Sequence, residues 1–212
     1  MNINKINKGG IYLVINPAMP QEELFAKLES VLAANITAVQ LWDNWEDVVN
    51  QEDIIKNVCT LCHQFNVPVL INNHPELLNT MPLDGIHFDL IPDNYQLLKN
   101  SFKDDLIIGI TCNNDLSVIN WANENDLSYV SFCSMFPSPT SNSCEMVLFE
   151  TVKKARQITS IPIFLAGGIN ANNLMELQEL NYDGIAIVSG IMSADNPLES
   201  AKKINNLLIK NN

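Results

Sequence analysis

The segment SIPIFLAGG at residues 160–168, followed by YDGIAIVSG at residues 182–190, decides the fold. An earlier pair has the same form, with NVPVLINN at residues 66–73 followed by LDGIHF at residues 83–88. Each pair has the pattern of two short buried strands joined by a connection. The two pairs lie about half a chain apart, which is typical of a barrel built from two related halves.

Outward from these pairs, short β-branched runs alternate with longer amphipathic segments. Near-continuous apolar runs are typical of parallel strands that are buried on both faces. The predicted strands are residues 11–16, 36–41, 67–71, 84–88, 106–111, 129–132, 161–166 and 183–188, and helical patterns occupy residues 21–34, 53–65, 115–123, 149–159 and 172–180. Asn172 is the expected N-cap of the last of these helices.

Eight strands and about eight helices in this length predict an α/β fold, namely one (β/α)8 TIM barrel as a single domain over residues 1–212. A doubly wound open sheet is the alternative, because periodicity alone does not show closure. No low-complexity segment or linker divides the chain.

Composition excludes several function classes. The 24 acidic and 12 basic residues give a formal net charge of −12, which argues against a nucleic-acid partner and against an anionic membrane surface. No apolar run is long enough to span a membrane, and the polar N-terminus lacks the pattern of a signal peptide. We therefore expect a cytoplasmic protein whose five cysteines are reduced, and whose partner is a small molecule. Composition does not predict the oligomeric state.

The sequence Cys59-Thr60-Leu61-Cys62-His63 matches a haem-attachment pattern. It lies within a helical pattern, and no second pair of ligands with zinc-site spacing occurs elsewhere. We interpret these cysteines as core residues.

Barrels of this type bind ligands where strands end and βα loops begin, and the last two such loops both contain glycine. Gly167-Gly168 follows the seventh predicted strand, and Val188-Ser189 followed by another glycine ends the eighth. We favour phosphate binding by backbone N–H groups there; the alternative is that the glycines only allow tight turns. The sixth loop, residues 136–142, is rich in hydroxyls and contains two prolines, and it fits either a phosphate site or a rigid surface loop.

The order of eight motifs resembles the thiamine phosphate synthase family, which has a sister branch of thiazole tautomerases. The motifs are YLVINP (12–17), AVQLWDN (38–44), VPVLINN (67–73), DGIHF (84–88), IIGITC (107–112), FCSMFPSPTS (132–141), IPIFLAGGI (161–169) and YDGIAIVSGI (182–191). The resemblance implies a (β/α)8 barrel and a transferase of thiamine biosynthesis. Members join hydroxymethylpyrimidine diphosphate to thiazole phosphate, release pyrophosphate and use Mg²⁺.

The resemblance also implies site residues, each carried over from its motif. The catalytic set is Gln40, Asn72, Ser138 and Thr140; the phosphate-binding set is Gly167, Gly168, Val188 and Ser189; and the metal set is Asn73 with Asp89 or Asp93. At several positions the chain departs from the family pattern. Trp42, Asn44 and Ser141 stand where the family has positive side chains, Asn73 and Pro92 where it has metal carboxylates, and Asn113 where tautomerases have a histidine.

No Lys or Arg occurs in the segments expected at the strand ends. A diphosphate leaving group is normally neutralised by Mg²⁺ and by Arg or Lys, whereas N–H groups and hydroxyls can hold a phosphate monoester. We therefore expect weak Mg²⁺ binding and low coupling activity. The leading hypothesis is a thiamine phosphate synthase-like protein that binds thiazole phosphate or thiamine phosphate. The rivals are a non-catalytic ligand-binding or regulatory member, and a different chemistry on the same barrel.

Overall fold

The computed structural model describes residues 6, 9–138 and 145–209. Eight parallel strands pair in chain order and close into a barrel. They are β1 (Ile11–Ile15), β2 (Ile36–Leu41), β3 (Val69–Asn72), β4 (Gly85–Phe88), β5 (Ile107–Thr111), β6 (Tyr129–Phe132), β7 (Ile163–Ala166) and β8 (Gly184–Ile187). The predicted (β/α)8 barrel is confirmed, and the open-sheet alternative is wrong because β1 also pairs with β8.

Helices cover the outside of the barrel. The α-helices are α1 (Gln21–Leu32), α2 (Gln51–Gln64), α3 (Tyr95–Ser101), α4 (Leu116–Glu124), α5 (Phe149–Ile158), α6 (Ser189–Met192) and α7 (Pro197–Ile209). The connections β3–β4 and β7–β8 instead contain short 3₁₀-helices, Pro75–Leu77 and Leu174–Leu177. Within the described ranges, no helix combines the length and the apolar character needed to cross a membrane.

The helix predicted over residues 172–180 is therefore wrong in length and in cap. Asn173, not Asn172, precedes the 3₁₀-helix. The side-chain oxygen of Asn173 accepts a hydrogen bond from Asn170 N at 2.8 Å, and its amide nitrogen donates to Gly168 O at 2.8 Å. These bonds hold the connection against the loop after β7, and they favour a tight turn there over an earlier helix start.

The inside of the barrel is aromatic. Tyr12, Tyr129 and Phe164 point inward and are buried, with ring centroids 5.5–5.7 Å apart. A Cβ at Gly109 would overlap the ring of Tyr129, and one at Gly184 would lie 2.5 Å from Phe164 Cε1. These two glycines thus leave the volume that the rings fill, and the interior is packed below the carboxyl end of the strands.

The two pairs of similar segments in the sequence correspond to a repeated hydrogen-bond arrangement at the start of β4 and β8. Asp84 Oδ2 accepts from Val69 N at 2.8 Å and lies 2.8 Å from His63 Nε2. Asp183 Oδ2 accepts from Ile163 N at 2.9 Å and from Arg156 Nη1 at 2.8 Å. In both halves, the Asp at the start of a strand accepts from the backbone of the previous strand. The same carboxylate pairs with a basic side chain near the end of the α-helix that comes before that previous strand.

Cys59 and Cys62 lie on α2 and are fully buried, in agreement with their interpretation as core residues. Burial raises the pKa of the Cys59 thiol to about 12. Thiolates are the reactive and metal-binding form of cysteine, so this pair is inert at neutral pH.

We predict that Asp183→Ala lowers the free energy of unfolding by about 1–3 kcal/mol, because it leaves the buried N–H of Ile163 unpaired and removes a partner of Arg156. Urea unfolding followed by circular dichroism measures the change. Asp195→Ala, which removes an exposed carboxylate, is the control and should stay within about 0.5 kcal/mol of the unmodified chain. Equal stability of the two variants would contradict the role of Asp183.

Candidate active site

A cavity of about 420 Å³ opens at the carboxyl end of the strands, a volume suited to a small organic ligand. Of the residues expected in the site, the structure brings together Gln40, Asn72, Asp89, Ser138, Gly167, Gly168, Val188 and Ser189 as lining of this cavity. Asn73 and Asp93 are not part of the lining. Thr140 and Ser141 lie outside the described residues.

A chain of hydrogen bonds crosses the floor of the cavity. It begins at Gln40 Oε1, which accepts from Tyr12 Oη at 2.8 Å, and Tyr12 Oη lies 2.7 Å from Tyr129 Oη. His87 continues it, with Nδ1 2.8 Å from Tyr129 Oη and Nε2 2.9 Å from Thr111 Oγ1. The chain ends at Ser131, whose Oγ lies 3.3 Å from Thr111 Oγ1. Six side chains from five strands are thereby fixed to one another.

The bond to Gln40 sets the direction of the whole chain, because each hydroxyl has one proton to donate. Tyr12 donates to Gln40, so Tyr129 must donate to Tyr12. His87 then donates from Nδ1 to Tyr129 and accepts at Nε2 from Thr111. The side-chain amide nitrogen of Gln40 faces no acceptor within the described residues and remains available to a ligand in the cavity.

This direction requires a neutral imidazole at His87. Burial lowers the pKa of His87 to about 4, although the nearby charge of Asp89 opposes the shift. Burial raises the pKa values of Tyr12 and Tyr129 well above the usual range for tyrosine, so both phenols keep their protons. His87 is therefore a structural hydrogen-bonding residue at the floor of the site, the role that its position at a strand end suggests.

The other end of the cavity is built from the loops after β7 and β8. Gly167 and Gly168 have φ of +88° and +64°, in the left-handed region. A Cβ at Gly168 would lie 2.6 Å from Pro137 O, so the loop after β6 packs closely on this turn. Tight packing alone thus accounts for the glycines, and both glycines also form part of the cavity wall. Ser189 and Gly190 open α6, where N–H groups have no partner within the helix.

The residues that the resemblance assigns to a metal do not fit one. Asn73 Oδ1 accepts from Asp89 N at 3.0 Å, which turns the Asn73 amide nitrogen toward the Asp89 carboxylate, 2.8 Å away. The other oxygen of Asp89 accepts from Asn72 Nδ2 at 3.2 Å. Each Asp89 oxygen thus accepts one amide N–H, and the Asn73 oxygen is held by a backbone N–H, so Asn73 presents a donor where a cation shared with Asp89 would need a ligand.

Asp93 does not add a metal ligand to this site. Its side chain is exposed and lies away from the cavity. Within the described ranges, no cluster of three or more His, Cys, Asp or Glu side chains is arranged to hold a metal ion. Of the expected metal set, the structure therefore brings Asn73 and Asp89 into contact, but as a hydrogen-bonded pair, and Asp93 is not part of the cavity lining.

One histidine lies between two carboxylates at the rim of the barrel. His74 Nε2 is 2.8 Å from Asp43 Oδ1, and His74 Nδ1 is 2.8 Å from Glu76 Oε1. Partial burial lowers the pKa of His74, but hydrogen bonds to Glu76 and Asp43 outweigh it and the pKa is raised. The His74 ring is already paired with two carboxylates and is not part of the cavity lining.

The described lining of the cavity contains no Lys or Arg, and Asp89 is its charged side chain. Trp42 is also part of the wall, at a position where the resemblance implies an arginine. The site thus combines a polar floor, a glycine-rich end and a wall without positive charge.

Sequence reasoning missed Tyr12, Tyr129 and Ser131 as site residues, whereas Thr111 lies in a segment expected at a strand end. Strand periodicity does indicate which residues face the interior. Thr111 lies two residues after Gly109 on β5, and Ser131 lies two residues after Tyr129 on β6, and alternate residues of a strand face the same side. Their role depends on which hydroxyl reaches which neighbour across the barrel, and no local pattern shows that.

Comparison with known proteins identifies the group to which this barrel belongs. The profile of the thiamine monophosphate synthase family matches residues 11–191. The chain belongs to the thiamine monophosphate synthase family. This confirms the resemblance of its motifs.

Individual relatives agree with this assignment. Among curated relatives, the thiamine-phosphate synthase of Pelagibacter ubique is 30% identical over 213 residues, covering 96% of this chain and 100% of the relative. That of Halorhodospira halophila is 27% identical over 204 residues and 96% of each chain. The solved thiamine phosphate pyrophosphorylase of Pyrococcus furiosus superposes with a TM-score of 0.80 at 20% identity, covering 99% of this chain and 98% of that one, which shows a shared fold.

The hydrogen-bond chain predicts the protonation state of His87. In long-range ¹H–¹⁵N spectra we expect Nδ1 to carry the proton and Nε2 to be unprotonated from about pH 8 down to about pH 5. His74 is an internal contrast, since its raised pKa keeps it protonated to higher pH than an ordinary histidine. A proton on Nε2 of His87 would contradict the donor-to-acceptor direction assigned to the chain.

The same histidine makes stability depend on pH. The pKa of His87 is about 4 in the folded protein and about 6.5 when unfolded, so the unfolded chain binds more protons between these values. The contribution of His87 to stability is complete above about pH 6.5 and is lost as pH falls toward 4. The free energy of unfolding of the unmodified chain should decline more steeply over this window than that of His87→Gln. Parallel profiles would contradict the shift.

For the metal, isothermal titration calorimetry with Mg²⁺ alone should find affinity poorer than about millimolar, because amide N–H groups face the Asp89 carboxylate. Asn73→Asp replaces that amide by a carboxylate and should bind Mg²⁺ more tightly. Submillimolar binding by the unmodified chain would show that Asp89 is open to a cation after all.

Proposed function

We propose that the chain binds thiazole phosphate or thiamine phosphate, with the phosphate at the end of the cavity formed by Gly167, Gly168, Val188 and Ser189. The observation that carries this is the joining of the two glycine-bearing loops on one wall of a ligand-sized cavity. Membership of the thiamine monophosphate synthase family, and the activity for which its relatives are named, supports this ligand class.

At the opposite side, Gln40 and Asn72 would contact the pyrimidine part of the ligand. Gln40 is suited to this because Tyr12 occupies its carbonyl oxygen and leaves its amide nitrogen free to donate. Asn72 is 2% exposed, and its amide nitrogen also donates to His87 O at 3.3 Å. Ser138 and Thr140 would add hydroxyl donors from the loop after β6.

Coupling with hydroxymethylpyrimidine diphosphate would then be far slower than in a relative with intact charges, or absent. The departing pyrophosphate carries several negative charges, and the described cavity lining offers no cation to it. Removing one such electrostatic contact costs about 10²–10³ in rate. A ligand-binding or regulatory role in thiamine metabolism is the second candidate, favoured by this absence of positive charge.

The phosphate position is tested by titrating ¹⁵N-labelled protein with thiazole phosphate. We expect the largest amide shifts at Gly168, Ser189 and Gly190. Gly168→Ala should weaken binding by about tenfold or more, since the new methyl group pushes the turn away from its position. Gly9→Ala is the matched control, because Gly9 also has positive φ but has open space at its Cβ. Shifts confined to another part of the barrel would overturn the assignment.

The effect of the missing charges is tested by restoring them together. The variant with Asn73→Asp, Trp42→Arg, Asn44→Lys and Ser141→Lys should release pyrophosphate measurably faster than the unmodified chain when both substrates and Mg²⁺ are present. Rapid turnover by the unmodified chain would contradict the proposal and require a cation from elsewhere, such as additional Mg²⁺ or a neighbouring subunit.

A further inference from the structure

We propose that the ligand carries a positive charge on the part beyond its phosphate, so that the cavity accepts a phosphate monoester joined to a cationic heteroaromatic ring and excludes a free diphosphate. The inference deepens the proposed function and rests on it, because it takes the phosphate to lie at the loops after β7 and β8. It concerns the remaining wall, formed from the loops after β2, β4 and β5.

This wall is rich in acceptors. The Asp89 carboxylate lines the cavity, and its side-chain partners are the neutral amides of Asn72 and Asn73. Its negative charge is therefore hydrogen-bonded but not neutralised by a cation in contact. Asn113 is part of the same cavity lining, and its Oδ1 is buried with no hydrogen-bond partner in the part of the chain that the structure describes. An unpaired acceptor and an unneutralised carboxylate in one cavity lining favour a ligand that brings donors or positive charge.

Among the described residues that line the cavity, no positive side chain balances this wall. The described lining contains neither Lys nor Arg, and residues 139–144, which complete the neighbouring loop, contain neither in the sequence. His74 lies outside the cavity and is paired with Asp43 and Glu76. A diphosphate in this part of the cavity would face Asp89 with nothing to offset the repulsion.

Trp42 adds an attractive surface for a cation. It lines the cavity at a position where an arginine is expected from the resemblance, so the change replaces a positive group by an aromatic one. Indole is the aromatic side chain that attracts cations most strongly, and a carboxylate together with an aromatic wall recognises cationic rings. The loss of cations and the gain of an indole both favour a cationic ligand over an anionic one.

The thiamine series provides a direct comparison. The thiazole of thiazole phosphate is neutral. Joining its nitrogen to the methylene carbon of hydroxymethylpyrimidine diphosphate, with release of pyrophosphate, makes that nitrogen quaternary and the ring a thiazolium cation. The site should therefore prefer the coupled molecule to either uncoupled precursor, because only the coupled molecule combines one phosphate monoester with a fixed positive charge.

The experiment measures binding of two phosphorylated ligands of the same shape by calorimetry. The probes are thiamine phosphate and its deaza analogue, in which a neutral thiophene replaces the thiazolium ring. We expect thiamine phosphate to bind at least about tenfold more tightly. Hydroxymethylpyrimidine diphosphate, tested without Mg²⁺, should not compete with it. This comparison needs only the unmodified chain.

Asp89→Asn then tests the source of the preference. It should weaken binding of thiamine phosphate by about tenfold and leave the neutral analogue nearly unchanged. Asp47→Asn is the matched control, because Asp47 is exposed, lies in the loop after β2 outside the cavity, and has a positive φ that Asn also adopts. Thermal unfolding confirms that each variant is folded.

The outcomes separate the two proposals. Equal binding of the charged and neutral ligands, or tight binding of the diphosphate, would overturn this inference and leave phosphate binding standing. Failure of both phosphorylated ligands to bind would overturn the proposed function and this inference with it.

Discussion

Two tyrosine hydroxyls are buried inside the closed barrel, and each must find a hydrogen-bond partner. An unpaired buried hydroxyl costs about 1–3 kcal/mol, so the pairing constrains every polar side chain that reaches the same depth. Tyr12 and Tyr129 satisfy each other and extend the chain to Gln40 on one side and His87 on the other. The floor of the ligand cavity is the upper surface of this network, so barrel packing determines how Gln40 presents its amide group.

A second constraint acts at the carboxyl end of the strands, where neutral amides and one histidine are hydrogen-bonded to the carboxylates. Asn72 and Asn73 direct amide N–H groups to Asp89, and His74 lies between Asp43 and Glu76. The rim is thereby internally paired, while the cavity keeps one carboxylate and no cation among its described residues. A ligand that brings its own positive charge completes this balance, whereas a free diphosphate opposes it.

The fold was predictable because the relevant signals are local and repeated. Strands β2 and β6 begin and end where the β-branched runs do, and the Asp-Gly pairs at residues 84–85 and 183–184 mark equivalent strand starts in the two halves. The helix predicted over residues 172–180 failed because side-chain bonds of Asn173 to the neighbouring loop outweighed its helical periodicity. Much of the lining could be predicted from strand ends and motif order. The network from Gln40 to Ser131 could not, since it depends on distances across the barrel, and neither could the orientation of the Asn73 amide, which Asp89 N determines.

The central claim is that the cavity holds a phosphate at the loops after β7 and β8 and a cationic ring beside Asp89, without a metal. A crystal structure of the complex with thiamine phosphate, grown with Mg²⁺ present, tests it most directly. We predict the phosphate on the N–H groups of Gly168, Ser189 and Gly190, the thiazolium ring next to Asp89 and Trp42, and no metal bound by Asn73 or Asp89. A magnesium ion coordinated by these side chains, or a phosphate seated beside Asp89 instead, would contradict it.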